Sequence, residues 1–80
     1  GDPTIEAVLG KDLKANDQRQ DHLRATLERT PDGRLVATPF VAQDSSILSL
    51  MSKAGCLVVR PALAPAAAAG DPCRIIPLDR

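Results

Sequence analysis

Apolar and polar residues alternate along much of this chain. In residues 4–9, Ile5, Ala7 and Leu9 fall on one side and Thr4, Glu6 and Val8 on the other. Period two predicts a strand with one wetter face. Gly10 marks a bend or bulge, and the strand is expected to continue past it over 11–15. Residues 16–20 are polar and loop-like. Alternation resumes over 20–29, with Leu23, Ala25 and Leu27 inward and His22, Arg24, Thr26 and Glu28 outward. Thr30-Pro31-Asp32-Gly33 follows, where Pro presets φ at the first central turn position and Gly accepts a positive φ later. Residues 35–40 then return, which predicts a hairpin.

Pro39 has no N–H for a ladder, so the second hairpin strand ends or reaches an edge there. Beyond it the period changes. Ile47, Leu48, Met51 and Ala54 recur at helical spacing. Asp44 or Ser45 is a natural N-cap and Gly55 stands where a C′ glycine belongs. A short amphipathic helix over about 45–54 is the expectation, held by packing because it is too short to stand alone. Cys56-Leu57-Val58-Val59 is continuously apolar and reads as a strand buried on both faces, ended by Arg60-Pro61. Residues 62–69 are alanine-rich and carry Pro65, which predicts a loop. Gly70-Asp71-Pro72 is a turn, and 73–78 is the last strand. The sum is a mainly β fold: a small, irregular five-stranded β-barrel with one short helix.

Composition narrows the function. Eighty residues make a single domain, 1–80. Phe40 is the only aromatic residue, so the core is aliphatic and thin. Such a core gives net stability on the order of 3–5 kcal/mol, which suits a piece of a larger protein. Lys plus Arg equals Asp plus Glu, at ten each. That balance, with a single aromatic residue for stacking, argues against nucleic acid. No apolar run approaches the roughly 20 residues of a membrane span, and no charged-then-apolar leader opens the chain; a soluble, cytoplasmic protein is expected. Cys56, Cys73 and His22 do not make a zinc set. The two cysteines read as buried reduced thiols, or as a disulfide between neighbouring strands.

Two constellations could bind an anion. Arg19, Asp21 and Arg24 form the first. An outward Arg24 is a planar donor suited to oxyanions, or else a solvated Arg paired loosely with Asp21. Gln43-Asp44-Ser45-Ser46 forms the second, either an oxyanion cradle of N–H groups and hydroxyls or plain N-capping. A hydrolytic set built on Ser45, Ser46, Ser49 and His22 lacks any motif that joins base to nucleophile. No catalytic residue stands out, and no metal ligands do.

The chain resembles the C-terminal, β-barrel domain of molybdopterin molybdenumtransferase, of the MoeA/gephyrin type. The resemblance rests on Arg19-x-Asp21-x-x-Arg24 in a strand, the Asp32-Gly33 turn, Thr38-Pro39-Phe40, and Gln43-x-Ser45 leading into Ile47-Leu48-Ser49-Leu50. The apolar 56–59 strand and a Gly70-led final strand complete it. It implies a multi-domain homodimeric enzyme of molybdenum cofactor synthesis. That enzyme inserts molybdate into adenylated molybdopterin with a divalent cation such as Mg²⁺ and releases AMP. This domain would line the active-site cleft against the other domains and the partner protomer. It would be inactive alone and hold no cofactor of its own. Arg24 and Ser45 would face the cleft and handle molybdate, with Gln43 and Ser46 as supporting neighbours. The family usually has Gly between the Gln and the Ser, where this chain has Asp44. A carboxylate there either caps the helix or opposes an anion. The alternative is a non-catalytic barrel that docks a peptide or partner protein, with strand edges near Pro39 or Pro77 as candidate places.

Overall fold

The computed structural model describes residues 1–41, 43 and 54–78. Five strands close into a barrel: β1 (Ile5–Leu9), β2 (Asp21–Arg29), β3 (Leu35–Pro39), β4 (Cys56–Arg60) and β5 (Pro72–Pro77). The order around the ring is β1, β3, β2, β4, β5 and back to β1. The β1–β3 contact is parallel and the other four are antiparallel. The mainly β, barrel architecture expected from the alternation is therefore the fold. The helix expected over 45–54 falls on residues outside those described, except for Ala54, which is not helical.

The hairpin between β2 and β3 forms as its turn chemistry dictates. The Gly33 amide donates to Thr30 O at 2.9 Å, and the Thr30 amide donates to Arg34 O at 2.8 Å. Gly33 takes φ +90°, a conformation that a Cβ would strain. The register then pairs Arg29 with Leu35 and Ala25 with Pro39.

The lumen is lined by Ala7, Leu9, Ala25, Ala37, Cys56, Val58 and Ile75. Small residues dominate because a five-stranded ring leaves little interior. Leu13, Leu23, Leu27, Leu35, Ala67 and Cys73 pack against this cluster. Alternation in β1 and β2 holds at Ala7, Leu9 and Ala25, which are buried, but Ile5, expected inward, is exposed because it stands at the open start of β1. Four expectations need correction. β4 is not buried on both faces: Cys56, Val58 and Arg60 are buried, whereas Leu57 and Val59 are only half-buried, because a barrel strand has a lumen side and an outer side. That strand also runs through Arg60 instead of stopping before it. Residues 11–15 do not extend β1; a single bridge, Leu13 to Ala67, remains there. Closure also removes the open edge anticipated near Pro39 and Pro77, since each strand has two neighbours; Pro39 pairs with Ala25 and Pro77 with Cys56.

Arg60 seals one end of the barrel. It is 9% exposed, and its Nη2 donates to Lys14 O at 2.8 Å and Pro65 O at 2.9 Å. Asn16 Nδ2 donates to the carbonyls of Arg19, Arg60 and Pro61. These bonds tie the two long loops together where their backbone groups would otherwise lack partners.

Candidate functional site

Arg24 lies on the outer face of β2, because Leu23 and Ala25 on either side of it turn toward the lumen. The register places Leu57 of β4 beside it and Ile76 of β5 beyond, on the same outer face. All three residues are half-buried. A guanidinium in such partly desolvated surroundings binds an oxyanion more strongly than one in open water.

The other described arginines are all engaged. Arg19 Nε lies 3.9 Å from Asp21 Oδ1, with both side chains exposed. Arg29 Nη1 donates to Gly33 O at 2.8 Å. Arg34 Nε stands 3.5 Å from Asp32 Oδ2. Arg60 holds two loop carbonyls. Arg74 donates to Thr4 Oγ1 and Thr4 O. Arg24 is the one described arginine whose side chain makes no hydrogen bond or ion pair to another described residue. Asp21, expected as its loose partner, faces Arg19 instead.

Gln43 is brought to Arg24 directly. The Arg24 amide donates to Gln43 Oε1 at 2.8 Å, and Gln43 Nε2 donates to Arg24 O at 2.9 Å and to Phe40 O at 3.0 Å. Nothing in the residue pattern marked Gln43 as a partner of the main chain. The available signal was Pro39: a strand that stops at proline leaves the opposite strand with an N–H to satisfy. Asp44, Ser45, Ser46 and Ser49 lie outside the described residues. Gly55 is not a left-handed C′ glycine, since only Gly33 and Gly70 among the glycines have positive φ. Close approach explains it instead: a Cβ on Gly55 would come 3.0 Å from Leu27 Cβ and 3.3 Å from Leu27 N.

The cysteines are free thiols, Cys56 buried and Cys73 half-buried. Burial pushes the Cys56 thiol up to about 11, with a smaller push from Cys73. Burial and then the Glu6 carboxylate push Cys73 in the same direction. Thiols so protonated at neutral pH are poor nucleophiles. Among the described residues no group of three or more His, Cys, Asp or Glu side chains could hold a metal ion. No helix among the described residues is long and apolar enough to cross a membrane.

These features define a small, closed five-stranded β-barrel domain with Arg24 half-buried on its outer wall. Residues 6–78 match the MoeA C-terminal region (domain IV), and the chain belongs to that family. No curated protein matches the chain. Among solved structures, it is similar to the molybdopterin biosynthesis moeA protein of Pyrococcus horikoshii OT3, at 19% identity and a TM-score of 0.74. That match covers 94% of this chain and 18% of the other. A molybdenum cofactor biosynthesis protein from Pyrococcus furiosus is similar at 21% identity and a TM-score of 0.66. It is matched over 90% of this chain and 24% of its own length. The chain thus spans about a fifth to a quarter of these relatives, and at such identities the likeness is one of fold.

Proposed function

We propose that this chain forms one wall of the molybdate-handling cleft of a molybdenum cofactor biosynthesis enzyme. The enzyme inserts molybdate into adenylated molybdopterin and releases AMP; it is cytoplasmic and works as a homodimer. Family membership supplies the context. The observation that carries the reading is the unengaged Arg24 guanidinium on the outer barrel face, while Arg19, Arg29, Arg34, Arg60 and Arg74 all have partners.

Molybdate is a tetrahedral dianion. A guanidinium fork can donate two parallel N–H bonds to two of its oxygens and fix its orientation. The Ser45 hydroxyl is the second donor in this reading, with Gln43 and Ser46 as neighbours. Arg24 binds and orients the anion for transfer to the pterin, whose site lies in other parts of the enzyme. The described residues offer no ligand set that fits Mg²⁺, so the reading assigns this wall no step through a cation. A carboxylate at position 44 is the one charge in this stretch that would oppose a dianion if it faced the site, since like charges disfavour one another at close range.

The test is molybdate insertion by the whole enzyme carrying Arg24→Ala. Insertion is abolished while the unfolding midpoint is nearly unchanged, because the side chain makes no hydrogen bond or ion pair to the described residues of the barrel. Insertion at the wild-type rate would overturn the assignment.

A further inference from the structure

β3 runs out opposite Arg24. Pro39 pairs with Ala25, and Phe40 is the last residue to continue the ladder, its amide donating to Arg24 O at 3.0 Å. In an extended strand the N–H and C=O of one residue point to the same side, so the Arg24 N–H also faces the gap that β3 leaves. The Gln43 side chain fills that gap. Its amide copies a peptide group: Oε1 receives the Arg24 N–H and Nε2 donates to Arg24 O. The second Nε2 hydrogen goes to Phe40 O.

This arrangement uses both donors of the amide. The reversed orientation is ruled out, because it would set Oε1 against two carbonyls and Nε2 against an N–H. Gln43 therefore has no hydrogen left for an oxyanion. Its remaining lone pair would repel one.

We infer that Gln43 is a positioning residue: its side-chain amide replaces the missing β3 rung, fixes the peptide that carries the Arg24 guanidinium, and does not itself contact the anion. This rests on the reading of Arg24 as an anion donor, and it removes Gln43 from the set of direct ligands.

The test combines NMR hydrogen exchange with a molybdate titration of wild type, Gln43→Ala and Arg24→Gln. In Gln43→Ala the amide of residue 24 exchanges at least about ten-fold faster, as expected for a lost bond to a part-buried group. The amides of Val58 and Ile75 keep their protection, which shows that the barrel is intact. Molybdate binding weakens by about ten-fold, equivalent to about 1.4 kcal/mol. In wild type the side-chain NH₂ resonances of Gln43 stay in place as molybdate is added. Arg24→Gln loses binding yet keeps the amide at position 24 protected. Unchanged exchange in Gln43→Ala overturns the inference, and so does a Gln43 NH₂ pair that shifts as a direct ligand would. A wild type that does not bind molybdate sinks the reading of Arg24 itself, a separate failure from loss of the rung.

Discussion

Gly10 lies against Thr38 so closely that a side chain on it would overlap the Thr38 hydroxyl and approach Thr38 Cβ to 3.0 Å and Val36 Cγ1 to 3.2 Å. The Gly10 amide donates to Ala37 O at 2.9 Å, extending the short parallel contact between β1 and β3. That contact closes the ring. Gly10→Ala should therefore destabilise the barrel by about 1–3 kcal/mol, the usual cost of overpacking. Thr38→Ala in the same chain should recover part of the loss. Urea unfolding of the two variants checks both statements; an unchanged midpoint in Gly10→Ala would show that the seam yields freely.

Asn16 and Arg60 hold the loops at one end of the barrel. Asn16→Ala leaves three carbonyls without their shared donor and should cost about 1–3 kcal/mol. The Arg60 carbonyl is one of those acceptors. The two side chains thus serve one network, and the losses in Asn16→Ala and Arg60→Ala should not add. A double-mutant cycle measured by chemical unfolding gives the coupling directly.

Alkaline pH should weaken the fold through Cys56. Its thiol titrates at about 11 in the folded chain against an ordinary 9.0, chiefly because it is buried. A raised value means that the folded state holds the proton more tightly. The contribution is complete below pH 9 and is lost as pH rises toward 11, at no more than about 1.4 kcal/mol per pH unit for one group. Cys73 acts with the same sign. Unfolding midpoints followed from pH 7 to 11 should fall over the upper part of the range, and Cys56→Ala should flatten the fall.

The hairpin turn gives a local prediction. Gly33 at φ +90° has open space around the position of a Cβ, so only backbone strain opposes a side chain there. Gly33→Ala should cost about 1 kcal/mol, and Gly33→Asn less, because Asn tolerates the left-handed region better. Thermal denaturation of the pair distinguishes strain from crowding, which would penalise the larger Asn more.

Much of the barrel was legible in the residues. Period two over β1 and β2, the Thr30 to Gly33 turn and the apolar β4 each depend on neighbours in sequence, and each formed at nearly its expected place. Closure was harder to see. The β1–β3 contact joins residues such as Val8 and Val36 through a parallel pairing that leaves no periodic trace. Residues 11–15 kept an alternating look, yet their backbone bonds go to the alanine-rich loop, as with the Leu13 amide to Ala67 O. Arg60 looked like a strand terminator, but its long side chain can turn inward once two carbonyls meet it. At the candidate site, the outward direction of Arg24 followed from alternation. The part played by Gln43 did not, because it arises from a main-chain vacancy on a strand 19 residues away.

Gln43 and Gly55 are anchored on adjacent residues of β2: Gln43 bonds to Arg24, and the Gly55 amide donates to Ala25 O at 2.9 Å. Positions 43 and 55 are thus fixed at neighbouring points of the barrel. Doubling the length of chain between two fixed points adds only about 0.6 kcal/mol of closure entropy. Sequence inserted between these two anchors should therefore leave the β2 register in place, which makes the stretch between them a tolerant position for a barrel of this kind to acquire new specificity.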